Sequence, residues 1–587
     1  MSTHKKQNFL YGSVILIVST VIVKLIGCLF KIPLQNLIGA TGMGYFSTSY
    51  SLFNLFYALS VAGLPMAVAR MVAKSSTNHE YKNVRKILKI ANISFIITGL
   101  VGSILMACLA KIYVNTFTSN PDAYWCTIMM APSILFCCIS SAYRGYYEGL
   151  QNMYPTAISQ VIEAVFKLII GYFAAKYIMT LGWQQYYQTG HIFGEIVTNP
   201  NDAENIILKF AAAGAIFGIT ISTFLGALYI FIRHITKGDG ILKSNLKDSL
   251  PAESTQSIFK QLLKISIPIC LASAVMNIAA FIDTKTMVQR LSIALSKNSD
   301  IILSQYHGLI PSNMSLSKIP NFLYGAYTGM SINLYNFIPS LTTAFSISIL
   351  PVITAAITKN DRDALKQNME CVLRITTLLC APPSLALIVL ANPILISLYG
   401  SRVTEAMIAV FPLRLLGVAA LLVSLVMPIN SMLQAIGKVN APAKLMIIGV
   451  CFKLLINKYL ISLPSINING APIGTIFCYS IVVVFGLYIL LKTTSVSLNI
   501  KSVFIKPIFG SIICVAAAYL SLQLLNKISF LKNIHHGLIS VIIAIIISVF
   551  IYIISLFLLR AIEKNDIKML PGGKIFLKTL EKYHFFS

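Results

Sequence analysis

Apolar residues run through this chain in long blocks, and the polar residues collect in short stretches between them. A helix crossing a bilayer needs about 20 mostly apolar residues. On that criterion the chain divides into fourteen expected spans, at residues 9–36, 45–73, 87–110, 125–143, 156–181, 207–232, 262–290, 324–355, 368–391, 405–433, 443–463, 471–491, 504–525 and 537–560. The fold class expected is all-α: a polytopic membrane protein of about 14 transmembrane helices. An even number of spans places both ends on one side. Prolines inside the apolar blocks, at Pro65, Pro132, Pro268, Pro339, Pro351 and Pro428, predict kinked helices.

The polar stretches set the orientation. One alternate set holds Lys5 and Lys6, then Lys74, Lys82, Arg85 and Lys86, then Arg144, then Arg233 to Lys247, and the tail from Arg560. The opposite set is much poorer in lysine and arginine. Basic loops stay on the cytoplasmic side, so both termini are expected there, in the cell membrane.

Two stretches repeat in order. LPMAVARMVAKSSTNHEYKNVRKILKI from Leu64 resembles LPVITAAITKNDRDALKQNMECVLRI from Leu350, and GLQNMYPTA, ending at Ala157, matches AIGKVNAPA, ending at Ala443. The spacing that aligns Pro65 with Pro351 also aligns Lys167 with Lys453. Two related six-helix bundles follow from this pattern. The expected divisions are an amino-terminal lobe at residues 1–233, a cytoplasmic linker at 234–258, a carboxy-terminal lobe at 259–491, and two additional helices with a tail at 492–587.

Composition agrees and removes other classes. Of 587 residues, 56% are hydrophobic and 11% charged, against about 25% charged in a soluble domain. The formal net charge of +27 is spread over short loops and forms no basic domain, so it marks topology and not nucleic-acid binding. The 11 cysteines lie mostly inside apolar runs, without metal-ligand spacing. No GxxxxGK[ST] loop is present, and GATGMG at residues 39–44 reads as a tight outer turn. No enzyme, cofactor or metal emerges.

Charges inside apolar spans are the functional candidates, because each costs a few kcal/mol unless it is paired or reaches an interface. Lys24 and Lys31 lie seven residues apart, close to two helical turns, and so share a face. Asp283 and Lys285 occupy the seventh span, where two-residue spacing rules out a local pair. Glu163 and Lys167 have the favoured acid-before-base order at four residues. They are expected to satisfy each other and brace the fifth span, while Arg144 and Glu148 fix topology and an inner gate. Lys453 is the counterpart of Lys167, Arg374 reads as positional, and the tail after residue 560 reads as surface.

Four stretches carry a family resemblance: NLIGATGMGYFSTSYSLFNLFYALSVAGLPMAVARMVA, RGYYEGLQNMYPTAISQVIEAVFK, YTGMSINLYNFIPSLTTAFSISILPVITAAI and NSMLQAIGKVNAPAKLMIIGVCFKLLIN. They are similar to the polysaccharide-exporter branch of the multidrug/oligosaccharidyl-lipid/polysaccharide (MOP) superfamily. That group includes the stage V sporulation protein B type and is related to the MurJ-type lipid II flippases. The resemblance implies two six-helix lobes around a cationic cavity, and outward movement of undecaprenyl-diphosphate-linked sugars by alternating access.

The implied partners are the lipid-linked glycan, membrane lipids and cell-wall synthesis enzymes, with the chain a monomer. Lys24 matches a basic position of the family's first helix. Lys24, Lys31, Asp283 and Lys285 are then substrate-binding candidates, with Arg144, Glu148, Glu163, Lys167 and Lys453 structural or gating. The chain departs from the MurJ-like pattern at Phe30, Lys31 and Tyr57, and lacks an arginine in YTGMSINLYN. The alternatives are a cation-coupled multidrug antiporter on the same fold, and a non-transporting scaffold.

Overall fold

The computed structural model describes residues 9–61, 63–342, 353–354, 356–357, 361–438, 440–527, 537–563 and 566. Pro351 and the tail beyond 566 lie outside the described residues. Within them the chain is helical apart from one two-residue hairpin, His191–Ile192 (β1) with Glu195–Ile196 (β2). Ten helices among the described residues are long and apolar enough to cross a membrane. Their outer surfaces expose large apolar side chains such as Ile97, Phe173 and Phe550, as expected where lipid is the solvent. The protein is an all-α, multi-pass membrane protein.

Two compact units divide the chain, Met1–Ser292 with Ser312–Gly329, and Ile293–Pro311 with Met330–Ser587. The first contains α1 (Phe9–Ser60), α2 (Leu64–Thr77), α3 (Tyr81–Ile112), α4 (Tyr124–Gly149), α5 (Tyr154–Thr189) and α6 (Pro200–Lys237). It also holds the short α7 (Lys243–Lys247), most of α8 (Thr255–Lys297), and α10 (Ile319–Ala326).

The first element changes the expected picture. α1 runs through GATGMG as helix, with one break at Gly39, whose φ of 63° and ψ of −174° suit a residue without Cβ. The expected tight turn thus reduces to a one-residue break. Glycine is required nearby for another reason. A Cβ on Gly44 would lie 2.2 Å from Oδ1 of Asn321, whose amide donates to the Thr41 carbonyl at 3.1 Å. Pro65 starts α2 instead of kinking a span, in the first turn where its missing N–H costs nothing. Pro132, Pro268, Pro339 and Pro428 lie inside helices, as expected.

α5 and α6 approach through glycine. A Cβ on Gly218 would stand 2.3 Å from the Gly171 Cα, so the two backbones touch where neither residue carries a side chain.

The second unit holds α9 (Ser299–Gln305), α11 (Ile332–Ser340), α12 (Arg362–Val389), α13 (Ala391–Leu398), α14 (Val403–Ala435), α15 (Ala441–Leu460), α16 (Gly470–Thr494), α17 (Lys506–Leu525) and α18 (Leu538–Leu558). Its polar centre is Arg374 on α12, 1% exposed. The guanidinium donates to both Asp566 oxygens at 2.7 and 3.0 Å, to Glu563 Oε1 at 2.6 Å and to Ser502 Oγ at 2.6 Å. The segment after the last span is therefore clamped onto α12 at residues 563 and 566, where sequence pattern suggested free surface.

The repeated turns match bond for bond. After α4, the amides of Leu150, Gln151 and Asn152 donate to the carbonyls of Tyr146, Glu148 and Tyr147; after α14, those of Ile436, Gly437 and Lys438 donate to Met432, Gln434 and Leu433. The aligned residues Gln151 and Gly437 are both left-handed, with φ of 59° and 82°. Each turn closes its helix with the same crossed carbonyl bonds before a proline-led restart.

Candidate functional site

The charges of the first unit converge from three helices. α1 supplies Lys31, α4 supplies Arg144, and α5 supplies Glu163 and Lys167. Lys31 lies within electrostatic range of both Lys167 and the Tyr50 hydroxyl. The Lys167 ammonium sits over two rings of α1, 5.5 Å from the Phe30 centroid and 5.6 Å from that of Tyr50. Ring faces carry partial negative charge, so this position steadies a cation without neutralising it.

The expected Glu163 and Lys167 pair gives way to another. Glu163 Oε2 accepts from Arg144 Nη2 at 3.0 Å, and Arg144 Nε donates to Ser159 Oγ at 3.0 Å. Both partners are largely sheltered, at 15% and 28% side-chain exposure. Arginine prevails because its planar fork serves both α5 acceptors from a neighbouring helix, whereas a four-residue lysine pair is worth only a few tenths of a kcal/mol. Arg144 thereby joins α4 to α5, and Glu148, one turn further on α4, remains within electrostatic range of it.

The outcome is uneven in charge. Arg144 and Glu163 cancel, while Lys31 and Lys167 have no carboxylate within ion-pair distance among the described residues. Beside them runs an aromatic ladder on α1, Phe46, Tyr50, Phe53 and Tyr57, with successive centroids 5.6 to 5.9 Å apart. Sequence reasoning passed over this ladder, although its spacing of four, three and four residues is written in FSTSYSLFNLFY. The result is an apolar, aromatic wall beside two ammonium groups, neither within ion-pair distance of a carboxylate among the described residues, with Glu163 still within electrostatic range of Lys167.

The remaining candidates lie apart from this cluster. Lys24 is partly buried on α1, about 10 Å along the axis from Lys31 by helical rise, and has no hydrogen-bond or ion-pair partner among the described residues. Lys285 on α8 stacks over Phe117 at 3.9 Å, beside Tyr113 and Phe281. Asp283 lies within α8, but its side chain is outside the described residues. Lys453, in the second unit, packs on α16 with its stem 3.3 Å from where a Gly474 Cβ would be. Among the described residues no group of three or more metal-ligating side chains occurs.

This fold is similar to that of MOP-superfamily membrane proteins, and a cluster of basic side chains lies in its first unit. Residues 9–198 match the family model for polysaccharide biosynthesis proteins, and residues 337–557 match that for the lipid II flippase MurJ. The chain is similar to the MurJ- and stage V sporulation protein B-related exporters.

Among its relatives, stage V sporulation protein B of Bacillus subtilis (strain 168) is 24% identical over 569 residues, covering 96% of this chain and 98% of its own. The lipid II flippase MurJ of the same organism is 24% identical over 582 residues, with the same coverage. A solved structure of a lipid II flippase MurJ in an inward closed conformation superposes with a TM-score of 0.59 at 16% identity, covering 92% of this chain and 97% of its own.

Proposed function

We propose that this chain is a flippase that moves a lipid-linked glycan, joined to its lipid by a diphosphate, outward across the cytoplasmic membrane by alternating access. It is a transporter and not an enzyme. The observation that carries this reading is the pair Lys31 and Lys167, sheltered beside aromatic side chains and, among the described residues, without a carboxylate at ion-pair distance.

A diphosphate diester bears two negative charges, and leaving water is costly for it unless fixed cations receive it. Two lysines whose one nearby carboxylate, Glu163, is bonded to Arg144 meet that need. The ammonium groups are point charges on flexible stems, which suits a headgroup that must be released again. Arg144 and Glu163, satisfied with each other, hold α4 and α5 in register and position Lys167. Lys24 and Lys285 are further candidate contacts. A cation antiporter would want an unpaired carboxylate here, and Glu163 is occupied by Arg144 at 3.0 Å.

The same reading carries the finer architecture. It has fourteen spans, two six-helix lobes at residues 1–233 and 259–491 with a linker between them, two further helices, and both termini cytoplasmic. The distribution of lysine and arginine and the repeated turn support it.

Depletion of the protein in cells that depend on it tests the function. Lipid-linked precursor should accumulate on the inner leaflet, and the Lys31→Gln, Lys167→Gln double variant should fail to relieve this while reaching the membrane. An unchanged leaflet distribution on depletion would overturn the function. Full relief by the double variant would overturn only the site.

A further inference from the structure

A second basic site lies outside the cluster just described, where α3, α4 and α6 meet beyond Asp239. Four basic residues occupy the first turns of α3. Lys82 donates to the Ser249 carbonyl at 2.9 Å, and Lys86 to that of Glu253 at 2.6 Å. Arg85 grips both oxygens of Asp239, at 2.8 and 3.1 Å. Lys89 is exposed and has no protein partner among the described residues. It lines a cavity of about 480 Å³ together with Arg85, Asn92, Tyr143 and His234.

The carboxylate in this cavity is already used up. Asp239 also accepts from the Tyr146 hydroxyl at 3.1 Å and the Ile241 amide at 3.0 Å, so both oxygens are engaged within the protein. His234 shares Nδ1 with the Tyr147 hydroxyl at 3.0 Å, which leaves Nε2 for a ligand. What remains is a pair of cationic donors, Lys89 and the third nitrogen of Arg85, beside an Asn92 amide that already serves the Tyr143 hydroxyl. Such a pair is complementary to a phosphate.

The cavity also has an apolar continuation. From Lys89, α3 presents exposed Ile93, Ile96 and Leu100 at spacings of four, seven and eleven residues, which form one helix face. On the α6 side, Phe231 and Ile235 are exposed as well. A phosphate in the cavity would therefore have an open apolar stripe running directly away from it.

We infer that this cavity binds the headgroup phosphate of an anionic phospholipid, with an acyl chain along the α3 stripe. The site is separate from the glycan cluster and independent of the transport reading. A soluble phosphate shares the headgroup chemistry but leaves the stripe uncovered.

Native mass spectrometry of the full-length protein released from detergent tests this, using phosphatidylglycerol, phosphatidylcholine and inorganic phosphate as separate probes. The wild type should retain one phosphatidylglycerol in preference to phosphatidylcholine. The exposed-site variant Lys89→Gln should weaken that retention about tenfold, as expected for losing one charge-assisted contact. Equal retention by Lys89→Gln would overturn the site. Displacement of phosphatidylglycerol by inorganic phosphate at matched concentration would overturn the lipid assignment in favour of a soluble phosphate.

Discussion

Replacing Arg374 by alanine should destabilise the second unit more than any other single charge removal in it. The guanidinium is 1% exposed and makes four hydrogen bonds, two to Asp566, one to Glu563 and one to Ser502. Asp566 is itself only 3% exposed at its side chain, whereas Glu563 is 49% exposed. Without the arginine, the Asp566 carboxylate stays buried with no counter-charge, a situation that costs about 3–5 kcal/mol. Glu563 can turn to solvent, so Glu563→Gln should cost less than ~1 kcal/mol.

The assay is thermal unfolding of the purified protein in detergent, arranged as a double-mutant cycle. Arg374→Ala and Asp566→Ala should each lower the transition strongly, and the double variant should be little worse than either, because the second substitution removes a charge already stranded. Strictly additive losses, or an Arg374→Ala protein as stable as wild type, would refute the clamp.

Other expectations follow from the same geometry. Arg144→Ala should cost about 1–3 kcal/mol by stranding Glu163, and Arg144→Lys should restore only part of it, since an ammonium cannot serve Ser159 and Glu163 with a planar fork; the unfolding assay reads both. Gly218→Ala should force α5 and α6 apart, because its Cβ would stand 2.3 Å from Gly171, whereas Gly27→Ala meets nothing within 4 Å and should be neutral by the same measurement. Burial alone would raise the Asp239 pKa, but hydrogen bonds from Arg85, Ile241 and Tyr146 outweigh it and hold the group below its ordinary value. Its stabilising contribution is therefore full above about pH 4 and lost as pH falls through the lower folded value, a dependence that Asp239→Asn should flatten in an acid titration of stability.

Most of the helical scaffold is legible in the sequence, because lipid demands long apolar blocks and the blocks are unbroken. The repeated turn is legible as well, in GLQNMYPTA and AIGKVNAPA, although their identical hydrogen bonding could be seen only in three dimensions. Local rules misled at three places. Glu163 and Lys167 have ideal helical spacing, but a stronger donor, Arg144, arrives from the adjacent helix, and no one-dimensional pattern reports that.

Arg374 likewise looks like an ordinary residue near a helix start, since its partners Glu563 and Asp566 lie 189 and 192 residues away. The GATGMG stretch failed in the opposite sense. Glycine there is used for close packing against Asn321 as much as for turning. For the candidate site, Lys31 could be nominated from its seven-residue spacing to Lys24 on one helix face, whereas Lys167 became a stronger candidate only once its expected partner was found elsewhere.

The central claim is that Lys31 and Lys167 receive the diphosphate of a transported lipid. The most direct measurement is transbilayer movement of a fluorescent undecaprenyl-diphosphate-linked sugar in liposomes containing the purified protein. The wild type should move the lipid and the Lys31→Gln, Lys167→Gln variant should not, with both proteins equally folded and incorporated. Movement at the wild-type rate by the double variant, or none by the wild type in either membrane orientation, would contradict the account.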